Sequence, residues 1–391
     1  MFDLTFSIVA WAILLVFFSA TVFWVAEVLL IGRARPSPLE HGHSEIQVRI
    51  LTIDAERVVQ GTVDSLPPDV SDVRVIAERE IEIDGATVDV VPSEFDCEAT
   101  RKARAIEWAR RTVPCDSTFV LYLDEDTVVR DLPAFPDADI VQLSERPVRS
   151  GSWFTYFAEI FRMGFQVEQA TFPRFRYPLY AWGGGFAVKK ELEDELTWDV
   201  ETVTEDTNFI WRAFEDPDVE LAFLDARLMN QAPPTIREMI HQRRRWISGS
   251  LADRSLLPVR YQVLAVVRNV AWGLVAISPV LFLPILAPIS NVIAPELYRA
   301  GLAVQLVGLY GWTVVGYWYY CERVRVLAAL LVLAPVVAIV HAAGAFWALL
   351  SPTRNFRVTE KVPPREVEDE SLEEAIEHTG PADRPELRVR P

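Results

Sequence analysis

Three groups of residues, far apart in the chain, have types and spacings suited to a charged, oxygen-rich substrate. Asp124-Glu125-Asp126 follows directly on the apolar run 119–123. In an extended or tightly turned segment, residues i and i+2 can both reach one cation. Carboxylate oxygens suit Mg²⁺ or Mn²⁺, which complete their shells with phosphates and water. Such an ion offsets the charge that grows on a diphosphate leaving group. An acidic loop on an acidic protein is the plainer alternative. Thr204-Glu205-Asp206 precedes the amphipathic run 209–214. It could cap that helix at its positive end, and Asp206 or Glu205 at the rim of an apolar pocket could also be tuned to remove a proton from a hydroxyl.

The third group is His241-Gln242-Arg243-Arg244-Arg245-Trp246, on a stretch that reads as helix from Thr235 onward. Adjacent arginines on a helix point in different directions, so one or two at most can serve a single phosphate pair. Gln242, Arg245 and Trp246 share a face. Arg245 is placed to grip a diphosphate and Trp246 to pack under an acceptor, leaving Arg243 or Arg244 for lipid headgroups. A juxtamembrane basic patch would also carry these arginines, but it needs neither the Gln nor the Trp. Upstream, Trp182-Gly183-Gly184-Gly185-Phe186 lets backbone approach a ligand while rings stack on it, or else forms a flexible turn. No G-x-G-x-x-G fingerprint is present there.

Short β-rich runs alternating with helical stretches must position these groups. Residues 47–53 and 73–77 read as strands, 56–66 and 97–112 as helices, and 119–123 as a strand buried on both faces. Alternating βα units predict an α/β, mainly parallel, doubly wound sheet. Ligands bind beyond the C-terminal strand ends of such sheets, which draws attention to Asp54, Glu78 and Asp124.

The formal net charge of −17 comes with only four lysines, at 102, 189, 190 and 361. An acidic, Lys-poor surface suits a high-salt cytoplasm and a halophilic source, and it argues against nucleic-acid binding. Cys97, Cys115 and Cys321 share no metal-ligand spacing, and the five His residues form no metal constellation.

Between residues 6 and 31 the only formal charge is Glu27, and the run exceeds the ~20 residues needed to cross a bilayer. It lacks a basic n-region and is followed by Arg33 and Arg35, so it reads as an uncleaved span ending in the cytoplasm. Further apolar stretches cover 263–290, 297–320 and 326–350. Arg354, Arg357, Lys361 and Arg365 place the start of the tail inside, which three spans after a cytoplasmic domain would not do. Treating 263–290 as partly interfacial, because of Arg268 and Asn269, removes the conflict. The expected organisation is a first span over 1–32, a catalytic domain over 45–256, interfacial or crossing helices over 257–350 and an acidic, disordered tail over 351–391.

Over residues 45–260, with apolar stretches before and after, these motifs resemble the membrane-embedded family 2 glycosyltransferases, the cellulose, chitin and hyaluronan synthase group. The segments "VRILTIDAERVVQGTVDSL" and "GGGFAVKKELEDELTW…VTEDTNFIWRAF" look most like the egghead-type β-mannosyltransferases. The resemblance implies a cytoplasmic GT-A domain, a nucleotide-sugar donor and inversion at the anomeric carbon. It implies that Asp124 and Asp126 hold metal and diphosphate, that Asp206 is the base, and that Gln242, Arg245 and Trp246 close over the donor and border the acceptor. Lys102 falls where the family often has a basic residue. Asp54 and Glu56 fall where the nucleotide base is met, and Glu78 at a second acidic position. Gly183, Gly184 and Gly185 are expected on the acceptor side. The first strand lacks the Pro-x-Tyr-Asn-Glu ending and the second lacks Asp-Asp-Gly, which leaves UDP or GDP open.

The expected function is a multi-pass cell-membrane enzyme moving a hexose from a UDP- or GDP-sugar to a lipid-linked or glycan acceptor. A processive polysaccharide synthase with translocation is the alternative. A catalytically dead, membrane-anchored scaffold is the alternative from another class, and it would be expected to lose Asp124, Asp126 or Asp206.

Overall fold

The computed structural model describes residues 2–35, 37–286, 292–320, 324–354 and 361–362. Arg357, Arg365 and the acidic tail from Glu366 onward lie outside the described residues. The strands of the main sheet are β1 (Ile46–Thr52), β2 (Asp72–Ala77), β3 (Thr87–Val90), β4 (Phe119–Asp124), β5 (Val128–Asp131), β6 (Ile140–Val148), β7 (Phe186–Lys189) and β8 (Leu221–Gln231). Their spatial order is β3-β2-β1-β4-β7-β6-β8-β5. β7 runs antiparallel to both β4 and β6, and β5 antiparallel to β8, while the remaining neighbours pair in parallel.

Alternation along β4 shows why the sheet is buried on both faces. Val120 and Tyr122 pack on one side with Phe186, Phe209 and Trp211. Phe119, Leu121 and Leu123 pack on the other with Val59 and Phe135. Successive side chains of a strand point to opposite faces, so a continuous apolar run requires helices on each. β4 stops at Asp124, opposite Leu51 of β1, at the C-terminal edge of the parallel strands.

The helices around the sheet are α1 (Phe2–Ala26), α2 (Glu56–Asp64), α3 (Lys102–Thr112), α4 (Trp153–Gln169), α5 (Lys190–Leu196), α6 (Glu205–Ala213), α7 (Ile236–Asp253), α8 (Val259–Leu274), α9 (Leu283–Leu286), α10 (Pro295–Tyr320) and α11 (Val324–Leu350). The helix expected over 97–112 begins only at Lys102. Asp199 Oδ1 accepts from the amides of Glu98 and Ala99 at 2.6 and 3.1 Å, and Arg101 takes φ 58°, so the chain turns before the helix starts.

Four helical stretches are long and apolar enough to cross a membrane: Leu4–Ile31, Val259–Ile285, Pro295–Tyr320 and Val324–Leu350. α1 and α10 lie side by side and parallel. Trp11 Nε1 donates to Ile293 O at 2.8 Å, Thr21 Oγ1 to Gln305 Oε1 at 2.9 Å, and the rings of Trp24 and Trp312 lie 4.8 Å apart. α11 behaves differently. Val326, Leu330 and Val337 pack on Tyr156 and Ile160 of α4, and Ile247 of α7 packs on Ala345 and Ala348. It has 39% of its apolar window buried within the protein, against 11%, 17% and 22% for the others. α10 also packs on α4, with Trp312 Nε1 donating to Phe161 O at 2.8 Å. Arg268 of α8 is held by both oxygens of the buried Glu168 of α4.

Candidate active site

The C-terminal edge of the sheet opens into a cavity of about 790 Å³ that reaches Asp124, Asp126, Lys102, Glu205, Asp206, Gln242, Arg245 and Trp246 together. Three elements bring the distant motifs to this edge. The turn after β4 carries the acidic triplet, and Thr127 N donates to Asp124 O at 3.1 Å to close it. Asp124 turns into the cavity. Glu125 turns back to β1, where its carboxylate accepts from Thr52 Oγ1 at 2.7 Å. Asp126 is buried, accepting from Gln231 N at 2.9 Å and from Lys361 Nζ at 2.7 Å.

Lys102, at the first turn of α3, places Nζ 2.7 Å from Asp124 Oδ1 and 3.6 Å from Glu205 Oε1. Burial works against its charge, but Asp124, Glu205 and Asp206 outweigh this and push its pKa up. For Asp124, burial is likewise outweighed by Lys102, which holds the carboxyl below its usual range. Asp206 behaves in the opposite way. Burial first and the neighbouring Glu205 second push it up to about 7, against the pull of the Thr207 amide, Lys102 and Arg245.

In the second motif Asp206, and not Thr204, satisfies a free amide of the first turn of α6. Thr204 precedes α6 but its side chain makes no cap hydrogen bond. Thr204 Oγ1 makes no hydrogen bond within the protein, and Asp206 Oδ1 accepts from the adjacent Thr207 N at 2.7 Å.

The glycine tract forms a short 3₁₀ turn ahead of β7, and its want of side chains is required. A Cβ at Gly183 would meet Lys102 Nζ at 3.2 Å and Asp206 Oδ2 at 3.3 Å. One at Gly184 would lie 2.6 Å from both Asn230 Nδ2 and Glu145 Oε1, and 3.2 Å from Asp124 Oδ2. Gly184 thus lies against the acidic triplet and Gly183 against Asp206. A Cβ at Gly185 would collide with Leu228 Cδ1 at 2.5 Å, so this glycine serves packing.

On α7, capped by Thr235 Oγ1 accepting from Glu238 N at 3.2 Å, Gln242, Arg245 and Trp246 all face the cavity, as their spacing predicts. The other two arginines do not face lipid. Arg243 is fully buried and paired with Glu159, with its guanidinium 4.2 Å from the Trp246 ring. Arg244 donates to Ser351 O at 2.9 Å, pinning the end of α11. Close helix packing through Gly344, whose Cβ would lie 2.8 Å from Arg243 Cβ, buries Arg243, while Arg244 stays half-buried against Ser351.

Asp54, Glu56 and Glu78 do not line the cavity. Asp54 pairs with Arg79 at 2.5 Å, Glu56 accepts from Glu82 N at 3.2 Å, and Glu78 pairs with Arg104 at 3.0 Å. Residues not singled out from the sequence do line it: Glu145, Glu159, Arg162, Glu168, Asn230 and Lys361. Glu159 and Arg162 stand three apart in the aromatic, largely apolar first part of α4, a signal present in the sequence; Lys361 has no such signal.

The donor set suits a hard divalent cation. Asp124 and Asp126 offer carboxylate oxygens now balanced by two lysine ammoniums, and Glu145 adds an oxygen under Gly184. Among the described residues no cluster of three or more His, Cys, Asp or Glu is arranged to hold a metal alone. Such a cation would therefore draw further ligands from a bound phosphate, as Mg²⁺ usually does.

A family model, glycosyl transferase family group 2, matches residues 119–350. The chain belongs to this family. Its β-1,4-mannosyltransferase relative egh of Drosophila melanogaster is 25% identical over 232 residues, covering 54% of this chain and 48% of the relative. The chain thus spans about half the length of that curated relative. In fold it is similar to the mannosyltransferase PcManGT from Pyrobaculum calidifontis, solved with GDP-Man and Mn²⁺. The TM-score is 0.51 at 13% identity, covering 88% of this chain and 99% of that one. The fold is GT-A, with the family's soluble domain carried between apolar helices.

Proposed function

We propose that this family member is an inverting, membrane-bound hexosyltransferase that moves a sugar, mannose in first choice, from a nucleotide-sugar to a lipid-linked saccharide. One observation carries this reading: the cavity at Asp124 and Asp206 continues between the apolar helices to Phe17, Leu302 and Leu309. A polar acceptor head can thus meet the base while its chain stays among the helices. The mannosyl preference rests on the names of the two relatives.

In this reading Asp206 takes the proton of the acceptor hydroxyl. The oxygen attacks the anomeric carbon from the side opposite the diphosphate, the carbon–oxygen bond to the diphosphate breaks, and configuration inverts. Glu205 raises the affinity of Asp206 for that proton. Arg245 and Lys102 meet the negative charge of the leaving diphosphate. Asp124 and Asp126 would hold the Mg²⁺ or Mn²⁺, which when bound supplies further charge neutralisation at the phosphates.

The arrangement of the helices supports three crossings, α1, the stretch 259–285 and α10, with α11 docked on the cytoplasmic face. That count brings the tail back to the side of the catalytic domain. Product analysis tests the function: purified protein in nanodiscs, Mn²⁺, a panel of UDP- and GDP-sugars and a native lipid extract. Label from GDP-mannose in a lipid-extractable saccharide is expected. Long water-soluble polymer would favour the processive synthase, and no transfer from any donor would favour the scaffold.

A further inference from the structure

Of the three charges on α4, Glu168 pairs with Arg268, while Glu159 and Arg162 pair with each other beneath the cavity. Glu159 accepts from Arg162 Nε at 2.5 Å and also from Arg243, and these two cations hold its pKa down to about 2 in spite of burial. On its other side Arg162 Nη2 lies 3.6 Å from Glu145 Oε2. A chain of alternating charge therefore links β6, beside the acidic triplet, to α7, which carries the Arg-Trp motif.

The geometry of Arg162 goes beyond charge balance. Its guanidinium carbon lies 3.8 Å from the ring centroid of Trp182 and 5.4 Å from that of Trp246. Trp182 opens the glycine tract and Trp246 closes the motif on α7, and both line the cavity. Guanidinium is planar and weakly hydrated, so it can stack on rings while its edge donates to carboxylates; an ammonium balances charge but cannot do both. Glu159 and Glu145 hold the guanidinium edge, and its carbon then lies against Trp182 and near Trp246 on one side, while Arg243, at 4.2 Å, holds Trp246 on another.

We propose that Arg162 is a positioning residue that sets Trp182 and Trp246 as the two flat surfaces on which the acceptor sugar is held. The proposal rests on the glycosyltransferase reading above and deepens it. It assigns acceptor recognition to a residue of α4 that belongs to none of the three motifs.

The test compares wild type with Arg162→Lys in nanodiscs, with Mn²⁺ and GDP-mannose or UDP-glucose as donors and decyl β-D-glucopyranoside as the sugar-bearing acceptor probe. Expected for Arg162→Lys is donor affinity within about twofold of wild type, a probe KM raised about tenfold, and a smaller loss in kcat. Trp182→Leu should reproduce the KM effect, because it removes one of the held surfaces. An unchanged probe KM in Arg162→Lys means that charge alone is used and overturns the proposal. So does a parallel loss of donor binding, which would make Arg162 a residue of the fold. A wild type that binds donor but ignores the probe overturns the stacking platform. A wild type that binds neither donor overturns the enzyme reading on which the proposal stands.

Discussion

The ammonium of Lys102 lies 2.7 Å from Asp124 Oδ1, so the first carboxylate of the acidic triplet is held ionised by a residue from a different layer of the fold. The same ammonium lowers the proton affinity of Asp206. Lys102→Met should therefore weaken donor binding and move the rising limb of the pH–rate profile to higher pH. A profile that keeps its midpoint, measured at saturating donor, would sink this coupling.

Asp206 must be unprotonated to act as a base. With its pKa raised to about 7 by burial and Glu205, turnover should be low below that value and rise through it toward alkaline pH. Asp206→Asn should bind donor normally and transfer ~10²-fold more slowly or worse, with the limb abolished. Transfer at the wild-type rate would return the motif to a structural role.

Removal of divalent metal should stop turnover. Asp126→Ala should do the same while leaving Lys361 without its 2.7 Å partner. Full activity in EDTA counts against the assignment, and isothermal titration with Mn²⁺ and donor distinguishes lost metal binding from a misfolded protein.

Two adjacent glycines should fail in different ways. At Gly184 a methyl group meets polar side-chain ends, Glu145 Oε1 and Asn230 Nδ2, at 2.6 Å. Gly184→Ala should keep the melting temperature near wild type and lose donor affinity. At Gly185 the obstacle is Leu228 and Leu143 in the core, so Gly185→Ala should lower Tm. Thermal unfolding beside donor titration separates them, and identical behaviour would contradict both assignments.

The three arginines of α7 should separate as well. Arg245→Lys should cripple transfer with little change in stability, since Lys lacks the planar fork that fits a diphosphate. Arg243→Ala should destabilise by about 3–5 kcal/mol, the scale for stranding a buried partner such as Glu159. Arg244→Ala should do much less, because its site is half open. Equal effects at all three by denaturant melts and transfer assays would restore a general basic patch.

The residues of the three motifs that meet in the cavity were legible because each motif combines charged types with a local signature: a carboxylate pair at a buried strand end, a Gln-x-x-Arg-Trp face on one helix. The supporting charges were not. Glu145 lies within a strand and Lys361 in the tail, and only the sheet order and the return of α11 bring them to the cavity. Arg243 was misread as lipid-facing because helix periodicity gives directions around an axis but not which neighbour occupies each direction. The same limit applies to α11, whose apolar composition suits a bilayer and a protein groove equally well.

Gly344 lets α11 lie directly on the helix that presents Arg245 and Trp246. A segment of membrane-grade hydrophobicity is thereby coupled mechanically to the diphosphate grip, with Ser351 fastened to Arg244 at its end. A helix docked in this way feels the headgroup layer rather than the hydrocarbon thickness. Turnover should therefore track headgroup charge and packing more than lipid chain length, and detergents that strip that layer should slow the enzyme without unfolding it.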